Sequence, residues 1–396
     1  MAAVAATERI SERELIDALS ALTPMLRDYA AQAEVQRKPV DEVMQAIEAT
    51  GAYRWFVPKQ YGGYEYSLRG FVEVALALGG GCTSHAWVTT FCMEHNWLLA
   101  LYDRPAQDDL FGSRPYIIAP GVLAPNGKAT PCEGGFRITG RWQWGTGVMH
   151  ADHVMVGALT PVPGREAPML AMYVLPIAAV EVQDTWHIEG MVGTGSNDIA
   201  VNDVYVPAHR MVDLSTLSDG TSPGSKLNDS HLYRMPMLPV LGLTAAAPLV
   251  GAARTAVRLF EERMQGRTVY GTKSRQSDRA LSQSRLAHAR VEMDSIVNQL
   301  YQITDVVEDF GYRAEPCPEL ERARLRVDLG HIVRRSRDLV RDVVEACGAS
   351  SHFLDSPLQR VLRDLNTASC HTVFDLDVSS ETYGRLLVGL PPNAPV

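Results

Sequence analysis

The sequence predicts an α+β protein, mainly α, in which two helical regions flank a β-rich centre. Three observations carry this. Apolar residues recur at helical spacing over residues 8–110, and short β-branched runs cut by Gly, Pro and Asn replace them from 114 to 212. Helical spacing then returns. With 396 residues the chain exceeds the ~250–300 at which a single core stops growing. The reading therefore divides it into an N-terminal helical domain (1–113), a central β-barrel or sandwich (114–225) and a C-terminal helical bundle (226–396).

The elements follow in order. Ser11-Glu-Arg-Glu14 has the spacing of a capping box, in which each end satisfies an orphan backbone N–H of the other. Leu15, Leu19, Leu22 and Leu26 form the first stripe, with Pro24 inside it, so that helix kinks or restarts there. Val40, Val43, Met44 and Ile47 form the next. Tyr61-Gly-Gly-Tyr64 marks a break, and a helix resumes over Leu68 to Leu78. The expected strands are Tyr116–Ala119, Phe136–Thr139, His153–Val156, Met169–Leu175 and Ile199–Pro207, spaced for a small antiparallel sandwich or barrel. Asp219–Lys226 reads as a loop. Ile332, Val333, Val340, Val343 and Val344 form an apolar stripe, with Arg334, Arg335, Arg337 and Arg341 largely off it. The tail Leu390–Val396 reads as irregular.

Composition excludes some functions. A net charge of −9 disfavours nucleic acid and anionic membrane as partners. No apolar run reads as long enough to span a bilayer. The N-terminal segment, with early acidic residues, reads as neither signal peptide nor anchor. The six cysteines show no CxxC spacing, which fits a reduced, cytoplasmic protein. No P-loop, GxGxxG or GxSxG is present. His150-Ala-Asp-His153 suggests a metal pair, but strand alternation would put the two rings on opposite faces, so no metal site is expected.

The candidate chemistry lies elsewhere. In Gly140-Arg-Trp142-Gln-Trp144-Gly-Thr-Gly147 a small turn could bring backbone close to a flat partner. Trp142 and Trp144 would wall an aromatic ligand, although core packing is the commoner use of tryptophan. His95, in Met93-Glu-His-Asn-Trp97, and His371, in Ala368-Ser-Cys-His-Thr-Val-Phe374, are each ordinarily structural when considered singly.

Three stretches change that weighing. Gly134-Gly-Phe-Arg-Ile-Thr-Gly-Arg-Trp-Gln-Trp-Gly-Thr-Gly147 resembles the acyl-CoA dehydrogenase segment that leads into a flavin-contacting turn. Gly190-Met-Val-Gly-Thr-Gly-Ser-Asn-Asp-Ile-Ala-Val-Asn-Asp-Val-Tyr-Val-Pro207 resembles that family's second signature, and Leu362-Arg-Asp-Leu-Asn-Thr367 its C-terminal Arg-Asp segment. The resemblance spans most of the chain and implies an acyl-CoA dehydrogenase-like fold. The dehydrogenases need a carboxylate base, which most carry shortly after the Arg-Asp pair. Here that region reads Thr367-Ala-Ser-Cys-His371. The pattern is more similar to the two-component flavin-dependent monooxygenase branch of this fold, which includes hydroxylases of 4-hydroxyphenylacetate, steroid-pathway phenols and indole, and dibenzothiophene monooxygenase.

That resemblance implies an oxygenase component that uses reduced flavin (FMNH2, with FAD possible) and O2, through a C4a-hydroperoxyflavin, to hydroxylate a small aromatic or polycyclic, phenol- or indole-like substrate. Thr146 would accept from the flavin N5–H, replacing the serine common in the branch. Trp144, Gly145, Gly147 and Ser196 would contact the flavin, and Arg267 and Arg234 would neutralise or flank it, Arg267 from a neighbouring subunit as often in the dehydrogenases. His95 and His371 would be base and orienter, unassigned between them, and Gly121 and Trp142 would line the substrate site. A separate NAD(P)H:flavin reductase would supply the reduced flavin. The chain would form a homotetramer through its last helical region, whose stripe suits such an interface. The alternatives are an acyl-CoA dehydrogenase or oxidase with a displaced base, an N- or S-oxygenase of the same fold, and a non-catalytic protein that retained only the fold.

Overall fold

The computed structural model describes residues 10–162, 164, 166–218 and 220–396. The reading of residues 1–9 as neither signal nor anchor lies outside the described residues, as does Asp219. Helix α1 (Glu12–Ala21) starts as expected: the Ser11 hydroxyl accepts from Glu14 N–H, and the Glu14 carboxylate accepts from Ser11 N–H at 2.8 Å. The stripe breaks where Pro24 predicts. Helix α2 (Thr23–Asp28) restarts with Pro24 in its first turn, where a missing N–H costs nothing. Helices α3 (Ala30–Gln36) and α4 (Asp41–Ala49) follow, then α5 (Leu68–Gly79), capped by Ser67 on Gly70 N–H. Helix α6 (Thr83–Ala100) is buried all round, and α7 (Arg104–Phe111) closes this region.

Among the described residues seven strands form one mixed sheet: β1 (Gly121–Cys132), β2 (Gly135–Trp142), β3 (His153–Thr160), β4 (Met169–Pro176), β5 (Glu181–Gln183), β6 (Asp198–Pro207) and β7 (Met211–Asp213), in the order β5-β6-β2-β1-β3-β4-β7. Pairing is antiparallel except between β1 and β3, which run parallel. Register shifts between Val122 and Gly127 bend β1. The strand expected at Tyr116–Ala119 does not form. Its backbone is taken by side chains instead: Ile117 exchanges two bonds with Asn96, and Ile118 N–H donates to Asp152. The real β1 begins at Gly121, inside a Gly/Pro/Asn-rich run that reads as turn.

Trp142 belongs to the core of the sheet, which corrects its expected place in the substrate site. It is fully buried, and its indole N–H donates to Gly157 O at 2.7 Å. Gly127 and Gly140 leave the space its ring fills, since a Cβ there would come within 2.2 and 2.8 Å of the ring.

Short helix α8 (Pro223–Leu227), capped by Ser222, occupies part of the expected loop. The bundle follows: α9 (Met237–Gly266), α10 (Ala280–Arg313), α11 (Glu319–Cys347), α12 (Pro357–Ala368) and α13 (Leu376–Leu387). Contrary to the sequence reading, α9 is long and apolar enough to cross a membrane, but the most apolar part is 89% buried, against α5, α6, α10 and α11. Helices α5 and α9 nearly touch backbones, because a Cβ on Gly251 would come within 2.2 Å of Leu76 O. The Ile332–Val344 stripe of α11 is buried inside the subunit, so it does not supply a free oligomer face. Its apolar side is used up packing on α9 and α10.

Candidate functional site

Helix α6 organises the site. Buried on every side, it must satisfy its polar side chains inside the protein. Thr89 and Thr90 donate back to carbonyls of their own helix. His85 Nε2 accepts from Val40 N–H at 3.0 Å. Asn96 ties down Ile117. His95 bonds Ala119 O through Nδ1 at 2.6 Å. A carbonyl can only accept, so the His95 proton sits on Nδ1 and Nε2 carries a lone pair. Burial drives the His95 pKa down to about 4, against a smaller upward pull from the Ala119 bond, so the ring is neutral near pH 7. Nε2 faces Gly121, where a Cβ would come within 3.1 Å of it. Gly121 and His95 are therefore neighbours.

His371 has the opposite arrangement. It caps the turn at Thr372–Phe374, and its Nδ1 accepts from Val373 N–H at 3.3 Å. Its proton therefore sits on Nε2. Desolvation lowers its pKa to about 4 as well. Its ring stands edge-on to Trp87 (5.8 Å), Phe91 (6.5 Å) and Phe374 (6.2 Å). Phe91 is also edge-on to His95 at 5.7 Å. Two histidines far apart in sequence thus flank one phenylalanine of α6. They are neutral, with their protons on different ring nitrogens.

The turn at 144–147 packs on another part of the same helix. A Cβ on Gly147 would meet Cys92 Sγ at 3.0 Å and Val88 at 3.6 Å. Trp144 and Gly147 both have left-handed backbones (φ 69° and 90°), the first a strained choice for a bulky residue. Gly145 N–H donates to Asn197 O at 2.9 Å, joining the two signature segments. Trp144 is 56% exposed, so its indole is open to a partner.

Thr146 begins a chain of hydroxyls. Its Oγ1 lies 3.0 Å from Ser196 Oγ, which lies 2.9 Å from Thr194 Oγ1. Thr194 donates to Met191 O at 2.9 Å. Followed back from that carbonyl, Ser196 donates to Thr194 and Thr146 to Ser196, which leaves a Thr146 lone pair for an outside N–H. Asp364, of the Arg-Asp segment, supports the loop from behind: its carboxylate accepts from Met191 N–H at 2.6 Å, and burial raises its pKa to about 6. Arg363 pairs with Glu34 at 2.7 Å and donates to Glu189 O. The structure thus gives the Arg-Asp pair a loop-holding task.

The arginines are not brought to this turn. Arg234 donates to Gly311 O and Asp229 O and lines a separate cleft of about 710 Å³ with His231 and Tyr312. Arg267 donates to Cys347 O at 2.6 Å and Ala346 O, capping the negative end of α11. The fold thus brings neither guanidinium to the 144–147 turn of its own chain, and backbone carbonyls hold both where they stand. His150, one of the rejected metal pair, bonds Asp41 at 2.8 Å. It sits in a 3₁₀ turn rather than on the strand that His153 starts.

The residues present fit a flavin ring system. An exposed indole, a hydroxyl with a lone pair directed outward and a glycine-flanked turn suit the flat face and N–H edge of a reduced isoalloxazine. Sequence reasoning missed Glu94. It is fully buried beside His95, with its Oε2 3.7 Å from His95 Nε2 and neither oxygen hydrogen-bonded. The available signal was a carboxylate whose helical neighbours Thr90, Phe91, Trp97 and Leu98 include no cation.

Comparison with known proteins supplies the family. Residues 243–376 match the family "Acyl-CoA dehydrogenase, C-terminal domain". A pigment production hydroxylase of Rhodococcus sp. (strain ATCC 21145) is 31% identical, covering 98% of this chain and 99% of that protein. The flavin-dependent monooxygenase oxygenase subunit HsaA of Mycobacterium tuberculosis (strain ATCC 25618 / H37Rv) is 31% identical over 96% of this chain and 97% of its own. The oxygenase component of a FADH(2)-dependent resorcinol hydroxylase of Rhizobium sp. (strain MTP-10005) is 27% identical over 96% and 95%. Among solved structures, HsaA from M. tuberculosis superposes with a TM-score of 0.90 at 29% identity, covering 98% of this chain and 100% of that one. XiaF from Streptomyces sp., in complex with FADH2 and glycerol, superposes at 0.88 with 30% identity, covering 97% of each chain.

Proposed function

The chain belongs to the oxygenase subunits of flavin-dependent monooxygenases, and from that premise we propose that it hydroxylates, at carbon, a small aromatic or polycyclic substrate that is phenol- or indole-like. It is an oxidoreductase that works with reduced flavin, which a partner reductase provides. When bound, the reduced flavin supplies the two electrons with which one atom of O2 enters the substrate while the other leaves as water.

The observation that carries the reading is the pair of neutral histidines around Phe91. His95 is the base. Its Nδ1 is committed to Ala119 O, so Nε2 is free to take the proton of a ring hydroxyl or an indole N–H, which makes the ring electron-rich. His371 is the donor. Its Nε2–H hydrogen-bonds oxygen and orients it. Thr146 would hold the reduced flavin by accepting from its N5–H, with Ser196 and Thr194 taking up the Thr146 proton. Trp144, exposed beside this turn, would help hold the flavin ring. Gly121 keeps the space before His95 Nε2 clear.

FMN is the flavin we favour, with FAD the alternative that the XiaF complex supports. NAD(P)H is the reductase's electron source. A homotetramer is supported by exposed Leu281, Val291, Phe353, Leu354, Leu387 and Val388 on the C-terminal helical region, in place of the buried α11 stripe, and it would allow Arg267 to serve a neighbouring site. Six free cysteines support a cytoplasmic location.

The test is turnover of phenol or indole with a flavin reductase, NADH and isotopically labelled dioxygen. One labelled oxygen atom in the product is expected. Flavin oxidation that yields only hydrogen peroxide with every aromatic tried would refute the assignment.

A further inference from the structure

Glu94 plays no part in the chemistry above, yet it is the most conspicuous polar group on α6. The other polar side chains discussed on that helix each have at least one hydrogen-bond partner, His85 leaving only Nδ1 unbonded, whereas both Glu94 oxygens lack one. Leaving a buried polar group unbonded is costly, so such a group calls for an explanation. The carboxyl is fully buried, and its Oε2 lies 3.7 Å from the His95 nitrogen that carries the lone pair. Among the described residues no lysine or arginine pairs with it. The titratable group beside it is His95, on its own helix. Burial alone pushes its pKa well above the usual carboxyl range, so it stands as a neutral acid with one O–H to donate.

A donor and an acceptor 3.7 Å apart can share one oxygen placed about 2.8 Å from each. That oxygen must both donate and accept, as a hydroxyl does. We propose that Glu94 and His95 together form the seat of the substrate's ring hydroxyl, His95 Nε2 taking its proton and Glu94 donating a hydrogen bond to the oxygen left negative. The substrate O–H bond breaks, an Nε2–H bond forms, the electron pair stays on the phenolic oxygen, and Glu94 keeps its own proton. A carboxylic acid held neutral by an apolar site and donating to an oxyanion is a known catalytic device. The inference rests on the hydroxylase reading and narrows it. An indole N–H can donate to His95 but has no lone pair with which to accept from Glu94, so the seat selects hydroxylated aromatics.

The probe is 4-nitrophenol, whose phenolate absorbs in the visible. Bound to the full-chain protein, it should ionise at lower pH than it does free. Glu94→Gln, which keeps a donor, should retain most of that effect. Glu94→Leu should lower the bound phenolate-to-phenol ratio at fixed pH about tenfold. A wild-type ratio in a folded Leu variant overturns the proposal. If that variant does not fold, infrared difference spectra decide: the wild-type carbonyl stretch of a neutral acid, absent in Glu94→Gln, must shift when 4-nitrophenol binds. An unmoved band overturns the proposal as well. Labelled-oxygen turnover of indole with no saturable binding of 4-nitrophenol or phenol would remove the hydroxyl seat and leave the monooxygenase reading standing. No labelled product from any aromatic would remove both.

Discussion

Helix α6 at His95 and the turn after α12 at His371 hold the same side chain in the same charge state, yet present it differently. At the first, a backbone carbonyl faces Nδ1 and makes the ring an acceptor at Nε2. At the second, a backbone N–H faces Nδ1 and makes it a donor. Residue type is equal and burial drives both pKa values to about 4, so one backbone group decides the role. The contrast recurs elsewhere. Trp142 is core and Trp144 is exposed, two residues apart. Asp109, beside Arg210, has its pKa held down at about 2, whereas buried Asp364 is raised to about 6.

The comparison breaks first at the histidines. His95→Gln should cut product formation about 10²–10⁴-fold while flavin oxidation continues as hydrogen peroxide release. His371→Gln should spare the ionisation of a bound phenol, which His95→Gln abolishes. Equal loss of ionisation in both variants, read by phenolate absorbance, would refute the opposed tautomers.

The tryptophans come next. Trp142→Ala removes a fully packed indole and its bond to Gly157, and should cost about 3–5 kcal/mol in urea unfolding. Trp144→Ala should change stability by less than about 0.5 kcal/mol but weaken flavin affinity. A large loss of stability at 144 with unchanged affinity would remove Trp144 from the cofactor site.

The two aspartates differ in sign. With a folded pKa raised from 3.8 to about 6, Asp364 binds its proton more tightly in the native state. Its contribution to stability is complete below pH 3.8 and is lost as pH rises through about 6, at most about 3 kcal/mol. Asp109 works the other way: its contribution is complete above 3.8 and is lost as pH falls towards about 2. In Asp364→Asn, which keeps the acceptor for Met191, the stability difference from wild type should move in the mutant's favour as pH rises from 4 to 7. A pH-independent difference would mean that Asp364 is ionised throughout.

The smallest effect concerns the hydroxyl chain. Ser196→Ala frees Thr146 to donate, so the preference for reduced over oxidised flavin should shrink about two- to tenfold. Equal weakening of both affinities would mark Ser196 as purely structural.

What could be read without the fold was local. The Ser11–Glu14 capping box, the break at Pro24 and the stripes of α4 and α11 rest on spacing along one element, and residues a few positions apart impose them. The turn at Thr146 and the Ser196 segment are each marked by resemblance, but the bond between them is not anticipated. Glu94 could not be placed by helical phase, because α6 is buried on every side and has no polar face to predict. The Tyr116–Ala119 run has the β-branched character of a strand, but Asn96, His95 and Asp152 claim its backbone. Arg234 and Arg267 are cations in any reading, yet only the fold shows carbonyls already holding them.

Taken by itself, the sequence determined the helix–sheet–helix order, a glycine-flanked turn at 144–147 and a stretch free of carboxylates from Leu365 to Phe374. The tertiary structure decided which nitrogen of each histidine is free, which tryptophan faces outward and which carboxyl stays neutral. The physical reason is that spacing along a chain sets which face a side chain occupies, while proton position and desolvation depend on atoms that folding brings from distant parts of the chain.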